Sequence, residues 1–223
     1  MIRAVIQTGL TVVIMGIILF AAAGNWGWIA AWVYLVEMAG AGMAISLWLY
    51  RHDPALLEAR MSMPVHRDQA GWDRLFMIGI CVVFVLWLAL MGLDARFGWS
   101  RVPVWAQGLG AVLIVLGLGL VVPVFRVNSF ATPQVRLQPG RGQYVITTGP
   151  YRIMRHPMYA VMSLYLAGMP LLLGSWWGLA AMALMMLGIG WRAIGEERLL
   201  ARELDGYAAY MQRVRYRLIP GIW

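Results

Sequence analysis

The sequence contains no lysine and a single cysteine, and charged residues of either sign are scarce. The lone Cys81 excludes a disulfide framework or a thiolate metal site within one chain, and we expect it to be a small packed hydrophobe. Charged residues make up 13% of the 223 residues and hydrophobic residues 61%, whereas soluble domains are about 25% charged and about 45–50% apolar. This balance excludes an ordinary soluble domain and indicates a polytopic membrane protein.

Without lysine, all 18 basic residues are arginines, and the 10 acidic residues leave a net charge of +8. Such an excess can attract nucleic acid or anionic lipid. The arginines lie in short segments beside apolar spans, which favours membrane lipids as partners and argues against nucleic acid. His52 and His66 share one polar loop, but neither a cysteine nor a third histidine accompanies them, so no metal site is predicted.

Six apolar segments are long enough, or nearly so, to be membrane helices, which need about 20 residues each. They are, in order, Ala4–Ala23, Ile29–Tyr50, Leu75–Leu93, Val104–Val122, Met158–Leu173 and Trp176–Trp191. The predicted fold class is therefore all-α, with the last two segments forming a helical hairpin. Pro123 is expected to end the fourth segment, and Asp53-Pro54 is expected to begin a short surface helix. The first segment is interpreted as a retained membrane helix.

Glu37 lies near the middle of the second span. An ionisable group at that depth costs about 2.5–3.5 kcal/mol on insertion scales and usually faces the interior of a helix bundle. Two interpretations stay open. Glu37 is either a site or relay residue, or a protonated or hydrogen-bonded packing contact beside small residues.

The distribution of arginine predicts the orientation in the membrane. Six spans place both termini on one side, and 16 arginines lie on that side. The other side has two, Arg96 and Arg101. By the positive-inside rule, both termini and the long loop of residues 124–157 are cytoplasmic, where soluble cofactors are available.

The stretch Gln143–Tyr159, QYVITTGPYRIMRHPMY, crowds polar, aromatic and cationic groups in front of the fifth span. Pro157 disfavours the α-conformation at His156, so a helix is expected to begin at Pro157 with His156 near its N-cap. A helix N-terminus flanked by Arg152 and Arg155 would suit an anion. The alternative is an interfacial belt of side chains that only anchors the protein.

Arg192 and Glu196 are four residues apart at the end of the last span, so they share a helix face. If the hairpin closes, Arg192, Glu196 and Glu197 come close to His156 and Tyr159. The alternative is an ordinary exposed ion pair of little energetic value.

These motifs form a set. They are Gly149-Pro150-Tyr151, Arg155-His156-Pro157-x-Tyr159, Ser175-Trp176, Arg192-x-x-x-Glu196-Glu197-x-x-Leu200, Tyr207-x-x-Tyr210 and Arg215-Tyr216-Arg217-Leu218-Ile219-Pro220. The set resembles the isoprenylcysteine carboxyl methyltransferases, and bacterial members of that family in particular. The resemblance covers roughly Phe130 to Trp223. The wider superfamily includes phospholipid N-methyltransferases and, more remotely, sterol reductases.

The resemblance implies S-adenosylmethionine bound in a cytosol-facing pocket, which the loop and the C-terminal helix of the second half form. It divides the single integrated domain into a four-span membrane region, residues 1–123, and a cofactor-binding region, residues 124–223. It also implies a bacterial inner membrane. The implied cofactor contacts are Gln138, Gln143, Tyr144, Val145, Ile146, Tyr151, His156, Pro157, Tyr159 and Glu196.

The predicted catalytic residues are Arg192, which the resemblance places at the acceptor, and Glu197, which the chemistry of an amine acceptor suggests. A carboxylate acceptor is already ionised and needs a cation such as Arg192 to hold it. An amine acceptor needs a base, for which Glu197 or Glu196 is the candidate. The expected acceptor is lipophilic, a prenylated or lipid molecule. Three alternatives stay open: a phospholipid amine methyltransferase, an NADPH-dependent reductase of the sterol reductase kind, and a non-enzymatic carrier that uses Glu37.

Overall fold

The chain folds into helices joined by short turns and one long loop. The structure is a computed structural model that describes residues 1–61 and 69–223, so His66 lies outside the described residues. The helices are α1 (Ile2–Ala23), α2 (Ile29–His52), α3 (Pro54–Arg60), α4 (Gly71–Phe97), α5 (Val104–Gly119), α6 (Val121–Val127), α7 (Pro157–Leu172), α8 (Trp176–Glu203) and α9 (Tyr207–Arg213). Within the described ranges no strand forms beyond an isolated bridge between Met154 and Tyr216. The predicted all-α class is confirmed.

Five helical segments are long and apolar enough to cross a membrane. They are α1, α2, α4, the combined α5 and α6 at Val104–Val127, and α8. The apolar α7 is shorter, with 16 residues. The prediction of a polytopic membrane protein is confirmed, with α7 and α8 as its helical hairpin.

Two helix boundaries differ from those predicted. The last span does not stop at Trp191, because α8 continues without a break to Glu203 and carries the charged residues on the same helix. Pro123 does not end the fourth span; the break is at Leu120, and Pro123 lies in the first turn of α6. A proline is tolerated there because the first amides of a helix have no intrahelical acceptor.

The short surface helix α3 forms where it was predicted. Pro54 is its first residue, and the Asp53 side chain accepts a hydrogen bond from the Leu56 amide at 2.9 Å. This is the N-cap arrangement expected of an aspartate before a proline.

One hydrophobic core joins the early and late helices. Its fully buried side chains include Leu19 of α1, Met91 of α4, Ile114 of α5 and Met169 of α7. Glycines let α5 and α7 approach closely, since a Cβ on Gly168 would lie 2.6 Å from the Gly110 carbonyl oxygen. This core contains residues of both predicted regions, 1–123 and 124–223. The division at residue 123 stays a prediction.

A second apolar cluster shows which helix ends lie together. Ala4 at the start of α1, Leu49 at the end of α2, Leu56 of α3 and Phe125 of α6 pack against one another. The beginning of the chain, the surface helix and the start of the long loop therefore lie at the same end of the bundle.

The turn between α7 and α8 lies at the opposite end of the bundle. There Ser175 meets Asp94 of α4 and Ser100 of the loop after α4, and we call these three residues the hairpin-turn cluster. Ser175 is the N-cap of α8 and accepts a hydrogen bond from the Gly178 amide at 2.8 Å. The hydroxyls of Ser100 and Ser175 donate to Asp94 Oδ2 at 2.7 and 2.5 Å, and the Ser100 amide donates to Oδ1 at 2.7 Å. Asp94 is buried and fully bonded.

Candidate functional site

The site begins at the first residue of α7. His156 is the N-cap of that helix and Pro157 its first residue, as the proline pattern predicts. The His156 side chain makes no capping hydrogen bond. The backbone here is held by the C-terminal segment, because the Arg155 amide donates to the Tyr216 carbonyl at 2.9 Å and the His156 amide to the Arg217 carbonyl at 2.8 Å. The imidazole is therefore oriented toward α8 by a fixed backbone.

A buried charge cluster surrounds Glu197 of α8. Arg155 Nε donates to Glu197 Oε1 at 2.6 Å and Arg217 Nε donates to Oε2 at 2.9 Å. His156 Nε2 lies 3.2 Å from Oε1. Glu197 is 3% exposed and Arg155 8%. Both oxygens are engaged by cations or imidazole, so Glu197 is held within the buried charge cluster.

Glu196, one residue earlier, has a different environment. The Tyr159 hydroxyl donates to its Oε2 at 2.7 Å, and His156 Nδ1 lies 3.7 Å from the same oxygen. The His156 and Tyr159 rings stack with centroids 5.3 Å apart. Within the described part of the chain, no hydrogen bond or ion pair reaches Glu196 Oε1. The Glu196 side chain is 27% exposed and therefore presents one oxygen to a neighbouring cavity.

That cavity has a volume of about 890 Å³, its mouth included. Its walls come from four parts of the chain: the loop after α6, the stretch before α7, the facing ends of α7 and α8, and α9. The lining residues are Asn128, Phe130, Ala131, Thr132, Gln134, Val135, Arg136, Gln143, Tyr144, Val145, Ile146, Tyr151, Arg155, His156, Met158, Tyr159, Glu196, Leu200, Leu204, Tyr207 and Tyr210. We call it the polar cavity.

One wall of the polar cavity is an extended segment with free backbone groups. Tyr144, Val145 and Ile146 belong to no helix or strand. Among residues 1–61 and 69–223, their backbone amides donate to no other group. Unpaired amides beside a cavity are donors for a bound anion.

Tyrosines form the opposite wall. Asn128 Nδ2 donates to the Tyr151 hydroxyl at 2.6 Å, and the Tyr210 hydroxyl donates to the Tyr151 carbonyl at 2.8 Å. Burial raises the pKa of Tyr210 to about 12, and burial also raises the pKa of Tyr151. Both phenols are protonated at neutral pH, so this wall carries neutral hydroxyls.

Arg192 lies in a separate ion pair with α4. Its Nε donates to Asp73 Oδ1 at 2.7 Å, and its Nη2 donates to the Pro133 carbonyl. Asp73 is fully buried and also accepts from the Val135 amide at 2.9 Å and from Gln69 Nε2 at 2.6 Å. This pair fastens the loop that lines the polar cavity to both α4 and α8.

The structure brings most of the predicted cofactor contacts to one place. Eight of them line the polar cavity: Gln143, Tyr144, Val145, Ile146, Tyr151, His156, Tyr159 and Glu196. Gln138 and Pro157 do not line it. The Gln138 amide donates to Gln143 Oε1 at 2.7 Å and its Nε2 donates to the Phe130 carbonyl at 2.9 Å, so Gln138 braces the loop behind the wall.

The two predicted catalytic residues lie outside the cavity lining, Arg192 in the Asp73 pair and Glu197 in the buried charge cluster.

Sequence reasoning missed Asp73, whose only visible signal was an acidic residue at the start of an apolar span. It also missed Asn128 and the segment of residues 130–136. The Tyr207-x-x-Tyr210 motif was noted in the sequence, and both tyrosines lie on α9 and line the polar cavity. Among the described residues, no group of three or more histidine, cysteine or acidic side chains is placed to hold a metal ion.

Comparison with known proteins identifies one related family. The family model of phospholipid methyltransferases matches residues 105–205, just under half of the chain. The matched stretch runs from α5 through α8 and includes every predicted site residue. No curated protein matches the chain. The match supports the broader methyltransferase superfamily, and with the apolar helices it supports a membrane methyltransferase.

Proposed function

We propose that this chain is an integral membrane methyltransferase that uses S-adenosylmethionine and acts on a lipophilic acceptor, in the manner of the isoprenylcysteine carboxyl methyltransferases. One observation carries the proposal. Glu196 presents an unpaired carboxylate oxygen to a cavity whose other wall offers unpaired backbone amides. The cofactor is a zwitterion with an ammonium group and a carboxylate, and this pair of features is complementary to it.

The residues of the polar cavity fit the cofactor. Glu196 would hold the ammonium group, because a charge-assisted hydrogen bond to a partly buried carboxylate is strong. The amides of Val145 and Ile146 would hold the carboxylate, with His156 as a further donor. When bound, S-adenosylmethionine supplies an electrophilic methyl group on a sulfonium centre.

The protein's own contribution is positioning. Methyl transfer needs the nucleophile close to the methyl carbon and in line with the bond that breaks, and such alignment is a large part of rate enhancement in bimolecular reactions. Tyr159 orients Glu196 through a 2.7 Å hydrogen bond. The buried charge cluster holds His156, and the Asp73–Arg192 pair holds the loop of residues 133–135. These contacts keep the walls rigid on both sides of the reacting atoms.

A phospholipid amine methyltransferase is the second candidate, and two observations favour it. The family that matches residues 105–205 is that of phospholipid methyltransferases. Arg192, the expected holder of a carboxylate acceptor, is already neutralised by Asp73 at 2.7 Å. An ammonium acceptor must lose a proton before it attacks, and Glu196 could be that base only where another group holds the ammonium of the cofactor.

The orientation follows from the arginines. We propose that both termini and the polar cavity face the cytoplasm of a bacterial inner membrane, because 16 of the 18 arginines lie on that side of the predicted topology. The cofactor would then enter from the cytoplasm and the acceptor from the bilayer.

The test uses the purified full chain in detergent. Binding of S-adenosylmethionine and of NADPH is measured by calorimetry for the parent protein, for His156→Ala and for the matched control His52→Ala, an exposed histidine at the end of α2. We expect S-adenosylmethionine to bind, and we expect His156→Ala alone to weaken it. Binding of NADPH instead would support the reductase alternative, and binding of neither compound would contradict both enzyme hypotheses.

A second measurement separates the two acceptors. The protein is given cofactor with a labelled methyl group, together with either a prenylcysteine or phosphatidylethanolamine. A methyl ester releases its label in alkali, whereas an N-methyl group keeps it. Alkali-labile product from the prenylcysteine supports the first proposal, and alkali-stable label in the phospholipid supports the second.

A further inference from the structure

A second depression lies between α1 and α2, away from the predicted catalytic residues. It has a volume of about 240 Å³. We call it the α1–α2 groove. Its lining includes Ala4, Thr11, Val12, Met38, Leu57 and Arg60. Because α1 and α2 are candidate membrane spans, the groove lies along two helices that would cross the bilayer.

The groove changes character along its length. Ala4, Leu57 and Arg60 mark the end that lies with the surface helix α3. Val12 and Met38 line the part further into the spans. The groove thus runs from the level of a surface helix into the hydrocarbon region, which is the path of an amphiphile with its head at α3.

Arg60 supplies the charge at the outer end. Its guanidinium lies 4.7 Å from the centroid of the Phe125 ring, and Nη1 donates to the Ala131 carbonyl at 2.6 Å. Among the described residues, no carboxylate is within ion-pairing distance of Arg60, although Arg155, Arg192 and Arg217 each have one. Burial lowers the pKa of Arg60 to about 10, so the group is still charged at neutral pH.

A partly buried cation that has no carboxylate beside it among the described residues is costly, and an anion that binds it removes part of that cost. The guanidinium has five N–H donors, and the Ala131 carbonyl takes one of them. The remaining donors are suited to a phosphate, which arginine binds with paired hydrogen bonds.

We propose that the α1–α2 groove binds an anionic phospholipid, with its phosphate at Arg60 and an acyl chain between α1 and α2. The apolar side chains that continue the groove from Arg60 along two candidate membrane spans favour a lipid over a free phosphate ion. Arg60 is also linked to the polar cavity, because Ala131, which accepts its hydrogen bond, lines that cavity. The lipid thus lies against the back of the polar cavity, and this inference stands independently of the proposed function.

Native mass spectrometry of the full chain in detergent tests the proposal. The probes are phosphatidylglycerol, phosphatidylcholine and glycerol phosphate, each added at matched concentrations. The variants are Arg60→Gln, which removes the charge, and Thr11→Phe, which fills the groove from an exposed helix position. The matched control is Arg51→Gln, an exposed arginine in the last turn of α2 that does not line the groove.

We expect the parent protein to retain phosphatidylglycerol about tenfold better than phosphatidylcholine, because both lipids offer a phosphate to Arg60 but the choline ammonium of phosphatidylcholine is repelled by the guanidinium. Arg60→Gln should abolish that preference, Thr11→Phe should reduce binding of both lipids, and Arg51→Gln should change neither. Unchanged phosphatidylglycerol binding in Arg60→Gln would overturn the proposal. So would binding of glycerol phosphate that depends on Arg60 while Thr11→Phe leaves lipid binding intact, or a dimer that excludes lipid from the groove.

Discussion

Carboxylates lie at both ends of the hairpin of α7 and α8, Asp94 of α4 at one end and Glu196 and Glu197 of α8 at the other. The two ends differ in how many hydrogen bonds these carboxylates accept. At the closed end, Asp94 accepts hydrogen bonds from two serine hydroxyls and one amide. At the open end, Glu197 is equally saturated by Arg155, Arg217 and His156. Glu196 beside it keeps one oxygen unpaired.

The two ends show that a structural carboxylate differs from a functional one in whether an oxygen is left without a hydrogen-bond donor. A buried carboxylate whose acceptors are all used contributes to stability and has nothing left for a ligand. Glu196 lies at the same end as a saturated neighbour, yet it borders the polar cavity with an unpaired oxygen. Burial and charge alone therefore do not identify the site; the unpaired acceptor next to a cavity does.

The largest effect is expected at the saturated position of the open end. Glu197→Gln leaves Arg155 and Arg217 without their carboxylate. Removing one partner of a buried ion pair typically costs about 3–5 kcal/mol of unfolding free energy. A large drop in the apparent melting temperature in detergent should show it, with exposed Glu58→Gln on α3 as the control. Equal melting temperatures for the two variants would show that the cluster contributes little.

A smaller but more specific effect is expected at Glu196. Glu196→Gln keeps the hydrogen bond from Tyr159 and removes the charge, so affinity for S-adenosylmethionine should fall about 100-fold, or about 2.8 kcal/mol, the loss typical of a partly desolvated ion pair. Calorimetry measures the affinity, and the melting temperature should stay close to that of the parent. Glu203→Gln, an exposed carboxylate further along α8, is the control. Parent-like affinity in Glu196→Gln would remove the basis of the proposed function.

The smallest effect is expected at the closed end. Asp94→Asn keeps one acceptor oxygen but loses charge-assisted bonds to Ser100 and Ser175, which should cost about 1–2 kcal/mol of stability. Cofactor affinity should be unchanged, because Asp94 does not line the polar cavity. The measurements are again the melting temperature and calorimetric affinity. If Asp94→Asn weakened cofactor binding while the protein stayed folded, the contrast between the two ends of the hairpin would fail.

Local patterns predicted a large part of this fold and some of its site. Apolar length located the membrane helices, since a span must satisfy its backbone within one continuous segment. The proline rule placed His156 at the start of α7, because that preference depends on adjacent residues only. The predicted hairpin turn, together with the position of Glu196 on the last helix, indicated that Glu196 lies near Tyr159. In the structure the side chains of Tyr159 and Glu196 are hydrogen-bonded.

Other features were outside the reach of such patterns. The helix break at Leu120 was missed because an apolar count does not register a break between two helical pieces. The bracing of the cavity wall by Gln138 was missed for a related reason. Its partners Gln143 and Phe130 meet only after the loop has folded on the helix ends.

By itself, the sequence determined the membrane class, the order of the helices and the helix start at His156, because each depends on residues that are neighbours along the chain. Only the tertiary structure decided which charges are neutralised. Arg192 is paired with Asp73, which is 119 positions earlier, and Glu197 is paired with Arg155 and Arg217 from two different segments. Coulombic pairing depends on distance in space, so the unpaired oxygen of Glu196 becomes evident only when the fold has brought Arg192 and Glu197 to their partners.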